Sequence, residues 1–231
     1  MSGEPDAVFP PLAGGWELRT FDLPGGARIE LRAPRDPERL LDDETVQERN
    51  RFNDSMPYWA WVWDSAPTMA RLLAAEDWPR PSRVLELGAG LGLVGIAVAA
   101  VHRAQVVLTD HDPLAVQAAR AQAAACGVPG VTAANLDWND ASSAPAGPFD
   151  AILGCDVLYE GGFHGPLLDL FDALLAPGGT AWLADPGRTR LPRFVERAEA
   201  RGHRVVLRDE EGAPAGPEAG AFRLLRLTAP A

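Results

Sequence analysis

The segment Glu86-Leu87-Gly88-Ala89-Gly90-Leu91-Gly92 sets one carboxylate directly before three closely spaced glycines. Glycines at such a turn let the backbone approach a ligand and adopt positive φ. The dinucleotide fingerprint, G-x-G-x-x-G, holds a pyrophosphate on a helix N-terminus. Here the spacing is G-x-G-x-G with an acid before it, which departs from that pattern. Glu86 suits a ligand with a cationic amino group, such as the amino-acid end of S-adenosylmethionine. A second carboxylate, Asp110, follows Val106-Val107-Leu108-Thr109. An acid at the end of the next strand, about 20 residues on, can accept hydrogen bonds from both ribose hydroxyls. A helix cap is the competing reading of Asp110, but Asp112, next to Pro113, fills that role better. Further on, Asp137 could accept from an adenine amino group and Trp138 could stack on the ring. Such stacking is worth about 1–3 kcal/mol per base; an ordinary core tryptophan is the alternative. The last group is Cys155-Asp156-Val157-Leu158-Tyr159. Asp156 can face an amine, orienting it or accepting its proton, and Tyr159 can wall a channel. Transfer to an amine needs a free lone pair held in line, so positioning carries much of the catalysis. The D/N-P-P-Y/F element of adenine amino methyltransferases is missing here, and Asp156 could instead cap the helix that follows.

These residues need a frame that brings them together. From Arg83 onward, short apolar runs alternate with helical stretches. Strands are expected at Val84 to Leu87, Gln105 to Thr109, Val131 to Ala134, Phe149 to Leu153 and Thr180 to Ala184. Helices are expected at Leu93 to Val101, Pro113 to Cys126, Leu167 to Leu175 and Leu191 to Arg201, the third ended by Pro177-Gly178-Gly179. Arg204 to Leu207 and Phe222 to Leu227 follow without an intervening helix and can pair antiparallel at one edge. Alternation of this kind predicts an α/β fold, a doubly wound, mostly parallel, seven-stranded sheet of Rossmann-like form. Its ligands bind at the carboxyl ends of the strands, where the groups above fall. Ahead of this, Trp16 to Asp22 and Arg28 to Arg32 alternate around Pro24-Gly25-Gly26 and read as a β-hairpin. Residues 1–11 read as disordered, 34–57 as short helices and loops, and Pro67 as the start of a helix through Ala75. The chain thus divides into an N-terminal extension, residues 1–57, and a catalytic domain, residues 58–231.

Composition narrows the function. With 231 residues, the chain can bury one sizeable core. A net charge of −11, with no lysine at all, disfavours nucleic acid as a partner. The absence of lysine fits a GC-rich genome, or escape of a lysine-modifying enzyme from its own activity. No apolar run is long enough to span a membrane, and no signal peptide is evident. Cys126 and Cys155 form neither a disulfide framework nor a metal set, and a cytoplasmic setting is expected. His102, His111, His164 and His203 are scattered, so no metal is expected. His111 could border an adenosine site or be a solvated loop residue, and His164 could lie at the active-site rim.

Taken together, Trp61-Val62-Trp63-Asp64-Ser65-Ala66, Glu86 to Gly95, Thr109-Asp110, Leu136-Asp137-Trp138 and Gly154 to Tyr159 resemble methyltransferase family 16, the seven-strand protein lysine methyltransferases. The order and spacing match over roughly residues 58–185. The resemblance implies S-adenosylmethionine as cofactor, S-adenosylhomocysteine as product and a lysine-bearing protein as substrate. It places Trp63 against the cofactor, with Gly88, Ala89, Gly90 and Gly92 around the methionine end. Asp110 takes the ribose, Trp138 the adenine, and Cys155 meets the cofactor through its backbone. Asp156 and Tyr159 form a D-x-x-Y element beside the amine. Asp185-Pro186-Gly187-Arg188 is similar to an element of the lysine methyltransferases that act on the electron transfer flavoprotein β subunit, and a bacterial member of that branch is the narrower reading; a plain turn is the alternative. Two other functions stay open: a small-molecule N- or O-methyltransferase, and a non-enzymatic cofactor- or protein-binding module.

Overall fold

The computed structural model describes residues 9–42, 46–48, 56–78 and 82–228. The expectations for residues 1–8, for the acidic run at Asp43 and Glu44 and for residues 49–55 lie outside these. Strand β1 (Trp16–Asp22) and strand β2 (Arg28–Pro34) form the expected antiparallel hairpin. Phe9, expected to be disordered, is buried and packs on Trp16, with ring centroids 4.9 Å apart. The Trp16 indole also donates to Pro10 O at 3.0 Å, so this end of the extension is held by aromatic packing that a Pro-rich composition conceals.

The main sheet has seven strands in the order β5-β4-β3-β6-β7-β9-β8. These are β3 (Arg83–Leu87), β4 (Gln105–Asp110), β5 (Val131–Asn135), β6 (Phe149–Cys155), β7 (Leu175–Asp185), β8 (Arg204–Arg208) and β9 (Arg223–Thr228). The first five run parallel, and β9 pairs antiparallel with both β7 and β8. Among the described residues, five helices cover the faces: α1 (Ser65–Ala74), α2 (Leu93–His102), α3 (Pro113–Cys126), α4 (His164–Leu174) and α5 (Leu191–Ala200). The order turns back at β3, since β4 and β5 extend one way and β6 and β7 the other. That is the switch point at which doubly wound sheets open a crevice.

Side chains alternate across the sheet. Val84, Ala151 and Leu153 join a core with α1, α2 and α3, while Leu85, Leu87 and Ile152 join one with α4 and α5. Both faces are apolar, which is why these strands read as continuous hydrophobic runs. Ile29, Leu31 and Ala33 of the hairpin enter the first core. Buried Gln122 of α3 ties them down, accepting from Arg32 N at 2.8 Å and donating to Glu30 O at 3.0 Å.

Three expected boundaries move. Helix α1 begins at Ser65, two residues before Pro67, and α4 begins at His164. His164 is fully buried, edge-on to Phe194 at 5.2 Å, and so is a core residue and not a rim residue. Pro177-Gly178-Gly179 does not end α4; it lies inside β7, where the register with β6 shifts.

Candidate active site

A cleft opens over the carboxyl ends of β3, β4 and β6, with an empty volume of about 820 Å³ including its open mouth. Its floor is the turn after β3. Gly88 and Gly90 both take positive φ, 61° and 52°. A Cβ on Gly88 would lie 3.1 Å from the Trp138 ring, and one on Gly90 would lie 3.2 Å from Trp59 O. Side chains at either position would crowd the walls, so the backbone itself lines this part of the cleft together with Ala89 and Gly92.

Two carboxylates border that floor. Glu86 is 2% exposed and accepts from Gly95 N at 2.8 Å. Burial pushes its pKa up to about 8, more than the Gly95 hydrogen bond lowers it. A buried acid with no cation beside it, lining a cleft, marks a place for a cationic ligand group. Asp110 ends β4. One of its oxygens accepts from Gly90 N and the other from Asp112 N, both at 3.0 Å. It therefore fixes the glycine turn while still facing the cleft. The helix cap falls to Asp112, which accepts from Leu114 N at 2.8 Å, as expected. His111 lies at the rim, largely exposed, with Nδ1 3.4 Å from Asp110, and its pKa is raised chiefly by that carboxylate.

Trp138 lines the cleft and packs edge-on to Phe163, 5.2 Å between centroids, so it is both a wall and part of a cluster. Asp137 does not reach the cleft. It is exposed, and its carboxylate accepts from Asn139 N at 2.9 Å and Asn139 Nδ2 at 3.2 Å. The opposite wall holds Tyr58, Trp61 and Trp63. The Trp63 indole donates to Tyr58 O at 3.0 Å, and the Tyr58 ring stands edge-on to both Trp63 and Tyr159, at 6.0 and 6.2 Å. Tyr58 and Tyr159 are 47% and 36% exposed, so the mouth is open and aromatic.

Cys155 and Asp156 close the inner end. Burial pushes the Cys155 thiol well up, which removes it as a nucleophile. Asp156 is 8% exposed and sits in the left-handed region, φ 59°. A non-glycine residue held there costs energy and clusters at functional positions. It does not cap α4, whose N-cap is Phe163. Its Oδ1 instead accepts from Arg188 Nη2 at 2.9 Å. Burial raises the Asp156 pKa from its ordinary value, and the Arg188 contact draws it back. Burial likewise pushes the Tyr159 phenol to about 12, so it is neutral near pH 7 and no general base.

Arg188 is the residue that motif reading undervalued. Asp185, fully buried at the end of β7, accepts from Gly187 N at 2.8 Å and Arg188 N at 2.6 Å. The Asp-Pro-Gly-Arg turn is thereby shaped to deliver a guanidinium to Asp156. A polar turn directly after a sheet strand, at the ligand-binding edge, was the available signal. Among the described residues, no group of three or more His, Cys, Asp or Glu side chains is arranged to hold a metal ion.

The donor set fits a nucleoside that carries a cationic amino acid: acids at the ends of β3 and β4, an indole wall, and no side-chain cation on the floor to receive a phosphate. A family model for lysine methyltransferases matches residues 43–191. The chain belongs to the lysine methyltransferase family. Within that family it is 32% identical to mouse EEF1A lysine methyltransferase 3 over 140 residues, covering 59% of this chain and 60% of that protein. It is 29% identical to the electron transfer flavoprotein β subunit lysine methyltransferase of Xenopus laevis over 136 residues, covering 58% and 54%. This family member thus spans about half to three-fifths of the length of these relatives. In fold, it superposes on a TehB-like SAM-dependent methyltransferase from Corynebacterium glutamicum with a TM-score of 0.60 at 20% identity, covering 85% of this chain and 99% of that one.

Proposed function

We propose that this chain is an S-adenosylmethionine-dependent protein lysine N-methyltransferase, with Asp156 and Tyr159 at the amine and Glu86, Asp110, Trp138 and Trp63 around the cofactor. The observation that carries the reading is Asp156: a buried carboxylate at left-handed φ, at the inner end of a cleft whose floor is a glycine turn and whose mouth is aromatic. Held by Glu86, Asp110, Trp138 and Trp63, the cofactor would supply a sulfonium methyl group for transfer to the amine nitrogen, which would then release its proton to solvent. The chain's own work is to hold the amine. Asp156 accepts a hydrogen bond from the nitrogen and aims its lone pair along the line of transfer. Tyr58 and Tyr159 pack along the aliphatic stem and keep water from the nitrogen. The exposed rings at the mouth support a protein side chain over a small enclosed acceptor. The match to the flavoprotein β subunit enzyme supports that branch as a target class, though the EEF1A enzyme matches comparably. Both cysteines are free, which supports a cytoplasmic setting.

The test is calorimetric titration with S-adenosylhomocysteine, wild type against Asp110→Ala. Binding in the micromolar range that weakens at least about a hundredfold in the variant is expected, because the variant loses both a ribose acceptor and the anchor of Gly90. Failure of the wild type to bind would remove the reading. Transfer of labelled methyl to a protein lysine then tests the acceptor.

A further inference from the structure

The proposed reading sets the Asp156 carboxylate at the amine, yet a lone carboxylate would be a poor host for methyl transfer. It would hold the lysine as an ammonium, which has no lone pair to give. The structure answers this with Arg188. Its guanidinium donates to Asp156 Oδ1 at 2.9 Å. The arrangement is built, since Asp185, fully buried, spends Oδ1 on the two backbone N–H groups that shape the Arg188 turn. Gly187 contributes φ 96°, and its carbonyl accepts from Gly220 N at 2.7 Å, which docks the turn on the β8–β9 loop. Among the described residues, the buried polar atoms Arg188 Nε and Asp185 Oδ2 have no hydrogen-bond partner. Buried atoms of this kind call for an explanation, and a site completed only when occupied is one.

We propose that Arg188 is a positioning residue of the methyl-transfer site: it fixes the Asp156 carboxylate and cancels its charge, so that the amine is received as a neutral hydrogen-bonding group and not as an ammonium ion. This rests on the lysine methyltransferase reading for its consequence, but not for its test. The charges acting on Asp156 are Arg188, which favours the carboxylate, and Asp185, which disfavours it. The Ser65 hydroxyl from α1 also favours the carboxylate, Cys155 and Tyr159 flank Asp156 on its own loop, and Glu86 on β3 acts on Cys155. Removal of the single positive charge from this set raises the affinity of the site for a proton, whether that proton rests on Asp156 or on the amine.

The experiment is a ¹³C carboxyl NMR titration of the full chain labelled at aspartate, with Asp156→Asn used to assign the Asp156 resonance. In Arg188→Gln the Asp156 midpoint is expected at least one pH unit above wild type, a tenfold gain in proton affinity, while Arg188→Lys returns part of that shift. Arg188→Met serves as a second neutral replacement if glutamine disturbs folding. An unchanged midpoint in the neutral variants overturns the proposal, and it does so with no substrate present. With a methylatable protein in hand, the acid limb of the kcat profile is expected to move upward by the same amount. A purely structural arginine would lower kcat at every pH and leave the limb in place. Absence of methyl transfer by wild type would count against the lysine reading and leave the carboxyl titration standing.

Discussion

At the residue scale the site is a set of buried acids, and each is made unusual by a different neighbour. Glu86 has burial and no cation; Asp110 has two backbone N–H groups; Asp156 has a guanidinium. The first case yields a pH prediction with a definite sign. Glu86 ionises near 4.5 in an unfolded chain and near 8 in the folded one, because burial disfavours its charge. Between those values the folded chain keeps a proton that the unfolded chain has released. The Glu86 contribution to stability is therefore full below about 4.5 and is lost as pH rises through about 8. Without cofactor, the melting temperature of wild type should fall relative to Glu86→Gln across this window; thermal melts of both at half-unit steps would check it. Parallel curves would mean that Glu86 stays ionised in the fold. Sequence order singled out Glu86, Asp110 and Asp156 because each lies at or directly after the carboxyl end of a buried apolar strand, and the structure sets all three along one cleft. It misplaced Asp137, which follows β5 but turns its carboxylate back to Asn139. An Asx turn of that kind is chosen by local hydrogen bonding that competes with any ligand.

At the scale of elements, the parallel strands were legible since burial on both faces leaves no polar alternation to confuse them. What the sequence hid were features set by particular side-chain partners outside the helix and strand periods. Phe9 is ordered by Trp16, His164 by Leu158 O and Phe194, and the Arg188 turn by Asp185 and the β8–β9 loop. None of these pairs leaves a periodic trace. The Arg188 turn also carries an element-scale prediction. A Cβ on Gly187 would run into the backbone of Ala221, and its φ of 96° disfavours any other residue. Gly187→Ala must shift the turn, and a misplacement of about 1 Å can cost on the order of a hundredfold in rate. We expect kcat to drop at least about tenfold, while affinity for S-adenosylhomocysteine, whose proposed site is at β3 and β4, stays within about twofold. Loss of both together would assign Gly187 to the general fold. A contrasting case is Gly92, at φ 79°, whose Cβ would lie 2.7 Å from Leu108 Cδ1. Gly92→Ala is expected to cost about 1–3 kcal/mol of stability by overpacking, read as a lower urea midpoint.

At the scale of the whole molecule, the charge of −11 is set by 32 acids against 21 arginines. Some of these acids adjoin the cleft in sequence, since Asp64 of a second hollow follows Trp63 of the cleft wall. Beside Ser65 and Pro186 this second hollow, about 1140 Å³ including its open mouth, is lined by Asp64, Asp209, Glu210 and Glu211, while its Arg223 is turned toward the carbonyls of Gly216 and Phe222. On the proposed reading, a protein approaching with an exposed lysine would meet the field of these acids near the site. Such fields raise the rate of encounter with a basic partner and fade as salt shortens their range, from about 10 Å at 0.1 M to about 3 Å at 1 M. For a basic protein substrate, KM should therefore rise several-fold between about 0.05 and 0.3 M salt while kcat changes little. Affinity for S-adenosylhomocysteine should stay nearly constant over the same range, because Glu86 and Asp110 are buried and poorly screened. Steady-state kinetics and calorimetry across one salt series measure both. A KM indifferent to salt would mean that recognition is carried by the aromatic mouth alone, through Tyr58, Trp63 and Tyr159, and that the acidic surface serves solubility and not substrate capture.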